Sequence, residues 1–370
     1  MTVMALFAGA CGDDDAVDTT AAPATTAAPA TTAAPATTAA PATTAAPATT
    51  TTTEPPEPTD IRVRLNWTAD TGFLGVYAAD ELGYFADEGI APTFEYGGPN
   101  VPAPTQILAG GAADIGIQGL FGVAEAVNQG NDFVIFGVRL QVLPLGISSL
   151  PDNPILTAAD ICGKQIGMTP GDVVAIDGML AVNGFEPGCY DMVPIGWGPE
   201  PLVEGLVDGL VNYMNSHPVV MDSMGIDNIA VSFGDMGAPM YHGNLFTTQA
   251  FLDANRDAVV GFLRAYIKGW EYAFANPQFA IDLMMTEWGG DEIGMDPEIQ
   301  GDIHAAQVPL MTSDLTDEKG LLWFDEALIQ GTMYELLVLG GVDPPDLDAL
   351  YDISILEDAY GDCGPSLLDC

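Results

Sequence analysis

Residues 62–90 read RVRLNWTADTGFLGVYAADELGYFADEGI, and residues 106–119 read QILAGGAADIGIQG. The first stretch predicts a short strand at 61–65, then a loop, then a helix whose apolar side chains recur at helical spacing. Asp70 or Thr71 is the expected cap of that helix, because a short polar side chain can accept a hydrogen bond from a free N–H group of the first turn. This part of the chain is therefore predicted to begin with a βα unit.

The same alternation continues in the second stretch. A strand is predicted at 92–96, a helix at 103–109 and a buried strand at 114–117. Strands that alternate with helices favour a mostly parallel sheet, and the ligands of such sheets bind at the carboxyl ends of the strands. The candidate ligand-binding residues of this region lie at such ends: Asn66, Trp67, Asp70, Phe73 and Gln118.

A further strand, turn and helix are predicted in the middle of the chain, with the strand at 163–167 and an apolar helix at 173–182. The turn between them presents free backbone N–H groups, which bind carbonyl, carboxylate or phosphate oxygens. Gly171 and Asp172 in this turn are therefore candidate ligand residues. A helix cap without any ligand role explains Asp172 equally well.

The strand predicted at 206–213 leads to two more candidates, Tyr213 and Asn215. Alternation with a period of two places their side chains on the same face. A tyrosine ring can stack on a planar ligand, and an asparagine amide can pair with the donors and acceptors of that ligand.

Most of the aromatic residues are instead expected in the core. Trp270, Tyr272 and Phe274 lie on a helix predicted at 257–276, whose apolar stripe faces inward. Trp67 differs, because it stands at a strand end beside polar residues. It is therefore the strongest aromatic candidate for contact with a ligand.

In their order and spacing, these motifs resemble the SsuA/THI5-like (NMT1/THI5) solute-binding proteins over residues 60–345. The segments that carry the resemblance are Trp67-Thr68-Ala69-Asp70, Phe73-x-Gly75-x-Tyr77, Gly83-Tyr84-Phe85, Glu88-Gly89-Ile90, Gly110 to Gly116, Leu245 to Thr248, and Arg264 to Ala273. The resemblance implies an α/β protein of the type II periplasmic-binding-protein fold. Such a protein has two α/β lobes with mostly parallel sheets around a ligand cleft, and it closes on a small molecule.

The resemblance also implies a division of the chain. The first lobe is expected at 60–148 and 246–345, the second lobe at 149–245, and a C-terminal tail at 346–370. Ligand contact with both lobes would then occur only in the closed state, so the ligand would shift the hinge equilibrium towards closure.

Family members deliver thiamine-pyrimidine precursors, sulfonates, flavins or related compounds to ABC importers, and a fungal branch makes the thiamine pyrimidine itself. The pyrimidine-binding branch usually shows Trp-x-Pro-Asn-x-x-His. This chain has Ala69, Asp70 and Phe73 at the last three of those named places. The resemblance therefore implies the fold and leaves the identity of the ligand open.

The segment before the predicted lobes has a different composition. Five copies of TTAAPA run from Thr19 to Ala48. Such a sequence has too few large apolar side chains to offset the entropy cost of ordering it. Residues 12–59 are therefore predicted to be a disordered linker rich in Thr, Ala and Pro.

Residues 1–11 resemble the end of a bacterial lipoprotein signal, since the apolar run MTVMALFAGA is followed at once by Cys11. The usual Leu three places before the cysteine is Ala8 here, and no Lys or Arg precedes the apolar run. Acylation of Cys11, with anchoring to the outer face of the cell membrane, is the prediction. An apolar terminus with a chance cysteine is the alternative. No later segment has the ~20 uncharged apolar residues of a membrane-spanning helix.

The other cysteines are even in number, which in an exported chain indicates disulfides. The expected pairs are Cys162 with Cys189, and Cys363 with Cys370. A zinc site is not expected, because no CxxC motif is present and the three histidines are scattered. Neither a metal nor a cofactor is predicted.

The charge balance is strongly acidic, with 52 acidic against 8 basic residues and a net charge of -44. Such a surface repels nucleic acid and anionic lipid, so neither is an expected partner. It also disfavours an anion site built on pairs of arginines. A solvated acidic surface is the plain explanation, and attraction of a cationic solute is the alternative.

Three function classes fit these observations. The prediction is a monomeric, extracytoplasmic solute-binding component of an ABC importer, which binds a small planar heterocycle such as a thiamine-pyrimidine precursor or a riboflavin-like compound and works with a membrane permease. The first alternative is an enzyme similar to the fungal pyrimidine synthase, which uses a pyridoxal phosphate lysine, a histidine consumed in the reaction and a cysteine-rich iron motif. That cysteine run is absent and the chain has only three lysines, so an enzyme is not expected. The second alternative is a cell-surface adhesin, for which the Thr/Pro-rich stalk is suitable.

Overall fold

The strands build two five-stranded sheets in the computed structural model, which describes residues 57–98, 101–196 and 198–370. Within these ranges the strands are β1 Thr59–Arg64, β2 Ile90–Glu95, β3 Ile115–Gln118, β4 Phe133–Leu140, β5 Leu145–Ser149, β6 Gln165–Met168, β7 Asp191–Pro194, β8 Gly209–Tyr213, β9 Ile229–Ser232 and β10 His242–Thr248. The first sheet has the order β2-β1-β3-β10-β4, and the second has the order β7-β6-β8-β5-β9. We call the half of the molecule around the first sheet the first lobe, and the half around the second sheet the second lobe.

Each sheet has four strands in one direction and a single strand in the opposite direction. β10 is antiparallel to β3 and β4 in the first sheet, and β5 is antiparallel to β8 and β9 in the second. The prediction of mostly parallel sheets is therefore confirmed. The reversed strand is in each case the one that receives the chain from the other sheet. Both crossings, 141–144 and 233–241, consequently start and end at the carboxyl edges of the sheets.

The predicted lobe boundaries need correction. The boundary at 148/149 falls inside β5, which pairs only with strands of the second sheet, and the boundary at 245/246 falls inside β10, which pairs only with strands of the first. Short apolar strands at a crossing carry no pattern that tells which sheet they join. Strand pairing therefore places both crossings a few residues earlier than the sequence predicted.

Helices cover the faces of both sheets. They are α1 Leu74–Glu81, α2 Tyr84–Asp87, α3 Pro104–Ala109, α4 Leu120–Asn128, α5 Val173–Val182, α6 Glu200–Val203, α7 His217–Ser223, α8 Gln249–Ala275, α9 Pro277–Thr286, α10 Pro297–Met311, α11 Asp314–Lys319, α12 Glu326–Leu328, α13 Tyr334–Leu339, α14 Leu347–Leu350 and α15 Ser354–Tyr360. Short 3-10 turns lie at Thr71–Phe73, Ala158–Asp160 and Pro170–Asp172, and a π-helical turn lies at Ile329–Met333. In the part of the chain that the structure describes, no helix has the length and apolar character to span a membrane.

The core of the first lobe is built where α8 crosses α1. Gly269 lets the two backbones touch, since a Cβ there would lie 2.0 Å from the Gly75 carbonyl oxygen. Trp270 is fully buried, as predicted. Thr248 Oγ1 accepts the Phe251 N–H at 3.2 Å and caps an extra segment that begins at Gln249. Non-helical backbone angles at Asn255 separate this segment from the helix that was predicted to start at 257.

The C-terminal residues are part of the first lobe. Residues 346–370, predicted as a tail, form α14 and α15, which pack on β4 and α8. Arg264 holds α15 in place, because its Nε donates to the Ala359 carbonyl oxygen at 2.9 Å. Burial of Tyr360 at 4% exposure shows that this segment contributes to the core.

Two disulfides join the cysteines in the pairs expected from the sequence. Cys162 is bonded to Cys189 in the second lobe, and Cys363 is bonded to Cys370 at the C terminus. The predicted lipidation site Cys11 and the predicted linker up to residue 56 lie outside the described residues.

Candidate ligand cleft

A cavity of about 570 Å³ lies between the carboxyl edges of the two sheets. The structure brings all nine predicted ligand residues to its wall: Asn66, Trp67, Asp70, Phe73, Gln118, Gly171, Asp172, Tyr213 and Asn215. They come from the ends of β1 and β3 in the first sheet and of β6 and β8 in the second. The carboxyl ends of strands in both sheets therefore meet at one cavity.

The loop after β1 is shaped by Asp70. Its Oδ1 accepts the Gly72 N–H at 2.7 Å, so Asp70 rather than Thr71 is the cap that opens the helical segment. Phe73, at the end of the 3-10 turn, is only 1% exposed and forms part of the floor. A Cβ on Gly72 would lie 2.7 Å from Asp70 Oδ1 and 2.8 Å from Arg139 Nη1, so glycine lets both side chains approach the same point.

Arg139, near the end of β4, is a lining residue that the sequence analysis missed. It is 7% exposed, its Nη1 donates to the Gly72 carbonyl oxygen, and its guanidinium carbon lies 5.7 Å from the centre of the Phe73 ring. Its Nε is buried without a hydrogen-bond partner among the described residues. The signal in the sequence was a single arginine near the end of the otherwise apolar run FVIFGVRL. A charge in a strand that is buried at every position needs a specific partner.

His242, the first residue of β10, was also missed. Its ring lies edge-on to that of Tyr213, with 6.1 Å between the ring centres, and it rests close to Gly119, where a Cβ would lie 2.9 Å from His242 Cε1. Burial, and then the nearby charge of Arg139, lowers the pKa of His242 to about 3. The imidazole is therefore neutral at physiological pH and offers one donor and one acceptor.

Both carboxyl groups of the cleft have raised pKa values. Burial raises the pKa of Asp70 to about 6, against the opposing effects of the Arg139 charge and the Gly72 N–H. Burial also raises the pKa of Asp172, whose Oδ2 accepts a hydrogen bond from Thr169 Oγ1 at 2.8 Å. Asp172 stands at the N-cap position of α5, but its side chain makes no capping hydrogen bond to that helix.

Tyr213 and Asn215 reach the cavity in a way that the sequence did not predict. Tyr213 ends β8, but Asn215 lies beyond the strand in the turn before α7, where alternation no longer applies. Burial raises the pKa of Tyr213 to about 12, so its hydroxyl remains protonated. Asn215 Nδ2 donates to Gln307 Oε1 at 3.5 Å, and Asn215 Oδ1 is buried with no hydrogen-bond partner among the described residues.

Side chains of helix α10 also line the cavity, and the sequence did not predict them. Gln300, Ile303 and Gln307 line the cavity, and α10 packs against both the 3-10 turn of the first lobe and α7 of the second. Gln307 is 1% exposed, and its Nε2 donates to the Thr71 carbonyl oxygen at 3.1 Å. This side chain therefore links the loop after β1 to Asn215. No motif in the sequence pointed to this helix.

Two predicted residues also brace the wall. Gln118 Oε1 accepts the Thr105 N–H at 3.1 Å, which fixes the start of α3 beside the cavity. The Trp67 carbonyl oxygen accepts the Gly97 N–H at 3.0 Å, and its half-buried ring packs on the core. Asn66 Oδ1 is buried and has no hydrogen-bond partner in the described part of the chain.

Lysines and metal-binding clusters do not contribute to the cleft. Lys164 Nζ donates to Asn153, Lys268 Nζ lies 3.9 Å from Glu88, and Lys319 Nζ lies 3.1 Å from Glu318. None of the three lines the cavity. The described residues contain no group of His, Cys, Asp and Glu side chains that could hold a metal ion.

Two mixed sheets with one cleft between their carboxyl edges define a protein of the periplasmic-binding-protein fold. The aliphatic sulphonate binding protein SsuA from Escherichia coli has this fold: its structure matches 82% of this chain and 99% of its own, with a TM-score of 0.62 at 16% identity. The chain belongs to the NMT1/THI5-like family, whose profile matches residues 70–280.

The similar proteins include two that are named for binding a ligand and one that is named as a synthase. A formylaminopyrimidine-binding protein of Halalkalibacterium halodurans is 26% identical over 61% of this chain and 70% of its own length. A riboflavin-binding protein of Chloroflexus aurantiacus is 25% identical over 74% of this chain and 79% of its own. A 4-amino-5-hydroxymethyl-2-methylpyrimidine phosphate synthase of Legionella pneumophila is 23% identical over 60% and 72%, respectively.

Proposed function

We propose that this protein is the extracytoplasmic solute-binding component of an ABC importer and that it captures a small planar heterocycle in the cleft. The observation that carries the proposal is the cavity of about 570 Å³, which receives side chains from both lobes. Cavities of ~300–1,000 Å³ are the usual size for small-molecule sites. The relatives named for binding a formylaminopyrimidine and riboflavin support a heterocyclic ligand.

Closure of the two lobes is the proposed mechanism. The crossings 141–144 and 233–241 border the cleft, so a rotation about them changes its width. Gln141 anchors one crossing, because its N–H donates to the Leu310 carbonyl oxygen at 2.7 Å and its Nε2 donates to the Trp323 carbonyl oxygen at 2.9 Å. A ligand that touches both lobes only when they are closed shifts the equilibrium towards that state.

The ligand is held by rings and amides from opposite walls. Trp67 of the first lobe and Tyr213 of the second provide the stacking surfaces, and Phe73 supports the floor. Gln118 and Asn215 orient the edge of the heterocycle, together with the carboxyl groups of the cleft. A thiamine-pyrimidine precursor or a riboflavin-like compound matches this set of groups.

The proposed location of the protein, at the outer face of the cell membrane, is based on its N-terminal sequence. Acylation of Cys11 would hold the protein at the outer face of the cell membrane, and residues 12–59 would tether the binding domain near its permease. The protein acts as a monomer in this proposal. Its only contact with the membrane is the lipid anchor.

A second candidate function is a pyrimidine synthase, favoured by the names of several relatives, including the one from Legionella pneumophila. A pyridoxal phosphate enzyme of this kind needs a lysine that reaches the cofactor. The three lysines of the chain bind other side chains away from the cavity, so the residues present do not fit that cofactor. We therefore propose binding without catalysis.

A thermal-shift screen of the full chain tests the proposal. The panel is thiamine, its pyrimidine precursors, riboflavin, nucleobases, sulfonates and polyamines, because a ligand that binds only the folded state raises the melting temperature. We expect one heterocycle to give a rise that Trp67→Ala and Tyr213→Ala reduce. The exposed Tyr334→Ala, far from the cleft lining, is the matched control. A shift that both cleft variants retain, or conversion of the ligand detected by mass spectrometry, would contradict the proposal.

A further inference from the structure

We propose that the cleft selects a solute that carries a positive charge, such as a protonated amine or a ring cation, over neutral and anionic solutes of similar shape. This inference rests on the proposed function and specifies the class of its ligand. It concerns the charges, the free acceptor atoms and the aromatic surfaces that meet at the cavity.

Charged groups in the wall favour a cation. Each lobe contributes one carboxyl group, Asp70 from the first and Asp172 from the second. The one Lys or Arg among the described lining residues is Arg139, which already donates to the Gly72 carbonyl oxygen and lies over the ring of Phe73. An incoming anion would have to approach both carboxyl groups in a medium of low dielectric constant, whereas a cation would be attracted by them.

His242 does not add a positive charge to this balance. Its pKa is lowered to about 3 by burial and by the Arg139 charge, so the ring is neutral over the physiological range. The hydroxyl of Tyr213, with a pKa raised to about 12, is neutral as well. Among the Asp, Glu, Lys and Arg residues that the structure describes in the lining, two are aspartates and one is an arginine.

Buried acceptor atoms without a hydrogen-bond partner also favour a ligand that carries N–H groups. Asn66 Oδ1 and Asn215 Oδ1 are both buried without a hydrogen-bond partner among the described residues, and each belongs to a different lobe. The amide nitrogen of Asn215 already donates to Gln307, so its oxygen is the atom left to accept. The corresponding unpartnered donor of the wall is Arg139 Nε. Free acceptors in both lobes match a ligand rich in N–H groups.

Aromatic surfaces complete the site. Trp67 and Tyr213 line the cavity from opposite lobes. The electron-rich face of an indole or phenol ring attracts a cation, most strongly in a site that excludes water. The net charge of -44 on the whole chain further raises the local concentration of cationic solutes at low salt.

Titration calorimetry on the full chain tests the inference with three heteroaromatic probes: thiamine as the cation, riboflavin as the neutral compound and flavin mononucleotide as the anion. We expect thiamine to bind at least about tenfold more tightly than riboflavin, and flavin mononucleotide to bind more weakly than riboflavin. Asp172→Asn is expected to weaken thiamine binding about tenfold and riboflavin binding by a clearly smaller factor.

The control is Asp191→Asn, an exposed aspartate of the same lobe that does not line the cavity, which changes the net charge by the same amount. Equal loss of thiamine binding in both variants would assign the effect to the overall charge and overturn the inference. Tighter binding of riboflavin or flavin mononucleotide that depends on Trp67 would overturn it too and leave the proposed function intact. Binding of none of the three probes would count against both.

Discussion

The two lobes contribute to the cleft in different ways. In the first sheet, β4 is buried at all eight positions, and its Arg139 donates to the Gly72 carbonyl oxygen and attracts the charge of Asp70. In the second sheet, the edge strands β7 and β9 have no buried position, although β5 is buried at all five. The cleft residues of this lobe lie at the end of β8 and in the turns after β6 and β8. From this difference we expect the first lobe to be the preformed half of the cleft and the second lobe to be the half that adapts on closure.

The largest expected effect is on the packing of the first lobe. Gly269→Ala places a Cβ 2.0 Å from a backbone oxygen of α1, which cannot move aside, whereas Gly178→Ala in α5 of the second lobe meets the Leu336 oxygen at 3.1 Å. We expect Gly269→Ala to lower the free energy of unfolding by about 3 kcal/mol or more, and Gly178→Ala by about 1 kcal/mol. Urea denaturation measures both.

Gly331→Ala is the control for these two variants, because no atom lies within 4 Å of the added Cβ. Its free energy of unfolding should stay within about 1 kcal/mol of the native value. Equal losses in Gly269→Ala and Gly178→Ala would remove the contrast in packing between the lobes.

The second sheet has the less buried edge strands, so the stability of its lobe should depend more on the disulfide that the lobe contains. The Cys162–Cys189 disulfide closes a separation of 27 residues in the second lobe. Replacing both cysteines by alanine is expected to lower the free energy of unfolding by about 3 kcal/mol. The Cys363–Cys370 pair closes a separation of 7, and its removal should cost less. Calorimetric melting of the two double variants ranks them, and the opposite order would contradict the account.

Ligand binding should show the same asymmetry between the lobes. For the solute found by thermal shift, Trp67→Ala removes a ring from the preformed half and should weaken binding by about 30-fold, or about 2 kcal/mol. Tyr213→Ala removes a ring from the adaptable half and should weaken it by about tenfold. Calorimetry compares the two dissociation constants. A larger loss for Tyr213→Ala would reverse the assignment of the preformed half.

The smallest effect concerns the stability of the empty cleft. Burial raises the pKa of Asp70 from 3.8 to about 6, so the folded state binds its proton more tightly than the unfolded state. The resulting stability is present below the unfolded pKa and is lost as pH rises through the folded value. Asp70→Asn keeps the acceptor for the Gly72 N–H, so at neutral pH it should stabilise the unliganded protein by about 1–2 kcal/mol.

This gain is expected to disappear in acid, where wild-type Asp70 is itself protonated. Urea denaturation of wild type and Asp70→Asn at neutral and acidic pH measures the difference. A variant that is less stable at neutral pH, or a gain that persists in acid, would show that the Asp70 carboxylate is not destabilised by the cleft.

Local sequence was enough to find the cleft residues that follow parallel strands. Gln118 ends a strand, and Asn66 and Asp172 lie in the loops that follow strands whose carboxyl ends the pattern located. The carboxyl ends of such strands meet at one edge of the sheet. Capping chemistry likewise indicated Asp70 as a cap, because Asx residues accept from the N–H two places on.

The missed residues depend on contacts that local sequence does not encode. Arg139 and His242 come together only because β10 inserts antiparallel between β3 and β4. Gln307 reaches Thr71 across a separation of 236 residues. Pairing and packing at such distances are set by tertiary structure, so residue type and periodicity in a local window could not indicate them.

Hydrogen–deuterium exchange of the full chain, with and without the solute found by thermal shift, tests the closure of the two lobes on a ligand, because it reports on both lobes in one experiment. We expect slower exchange at 66–73 in the first lobe, and at 169–172 and 213–217 in the second, with the larger change in the second lobe. Protection confined to one lobe, or absent from all three segments, would contradict binding by closure of the two lobes.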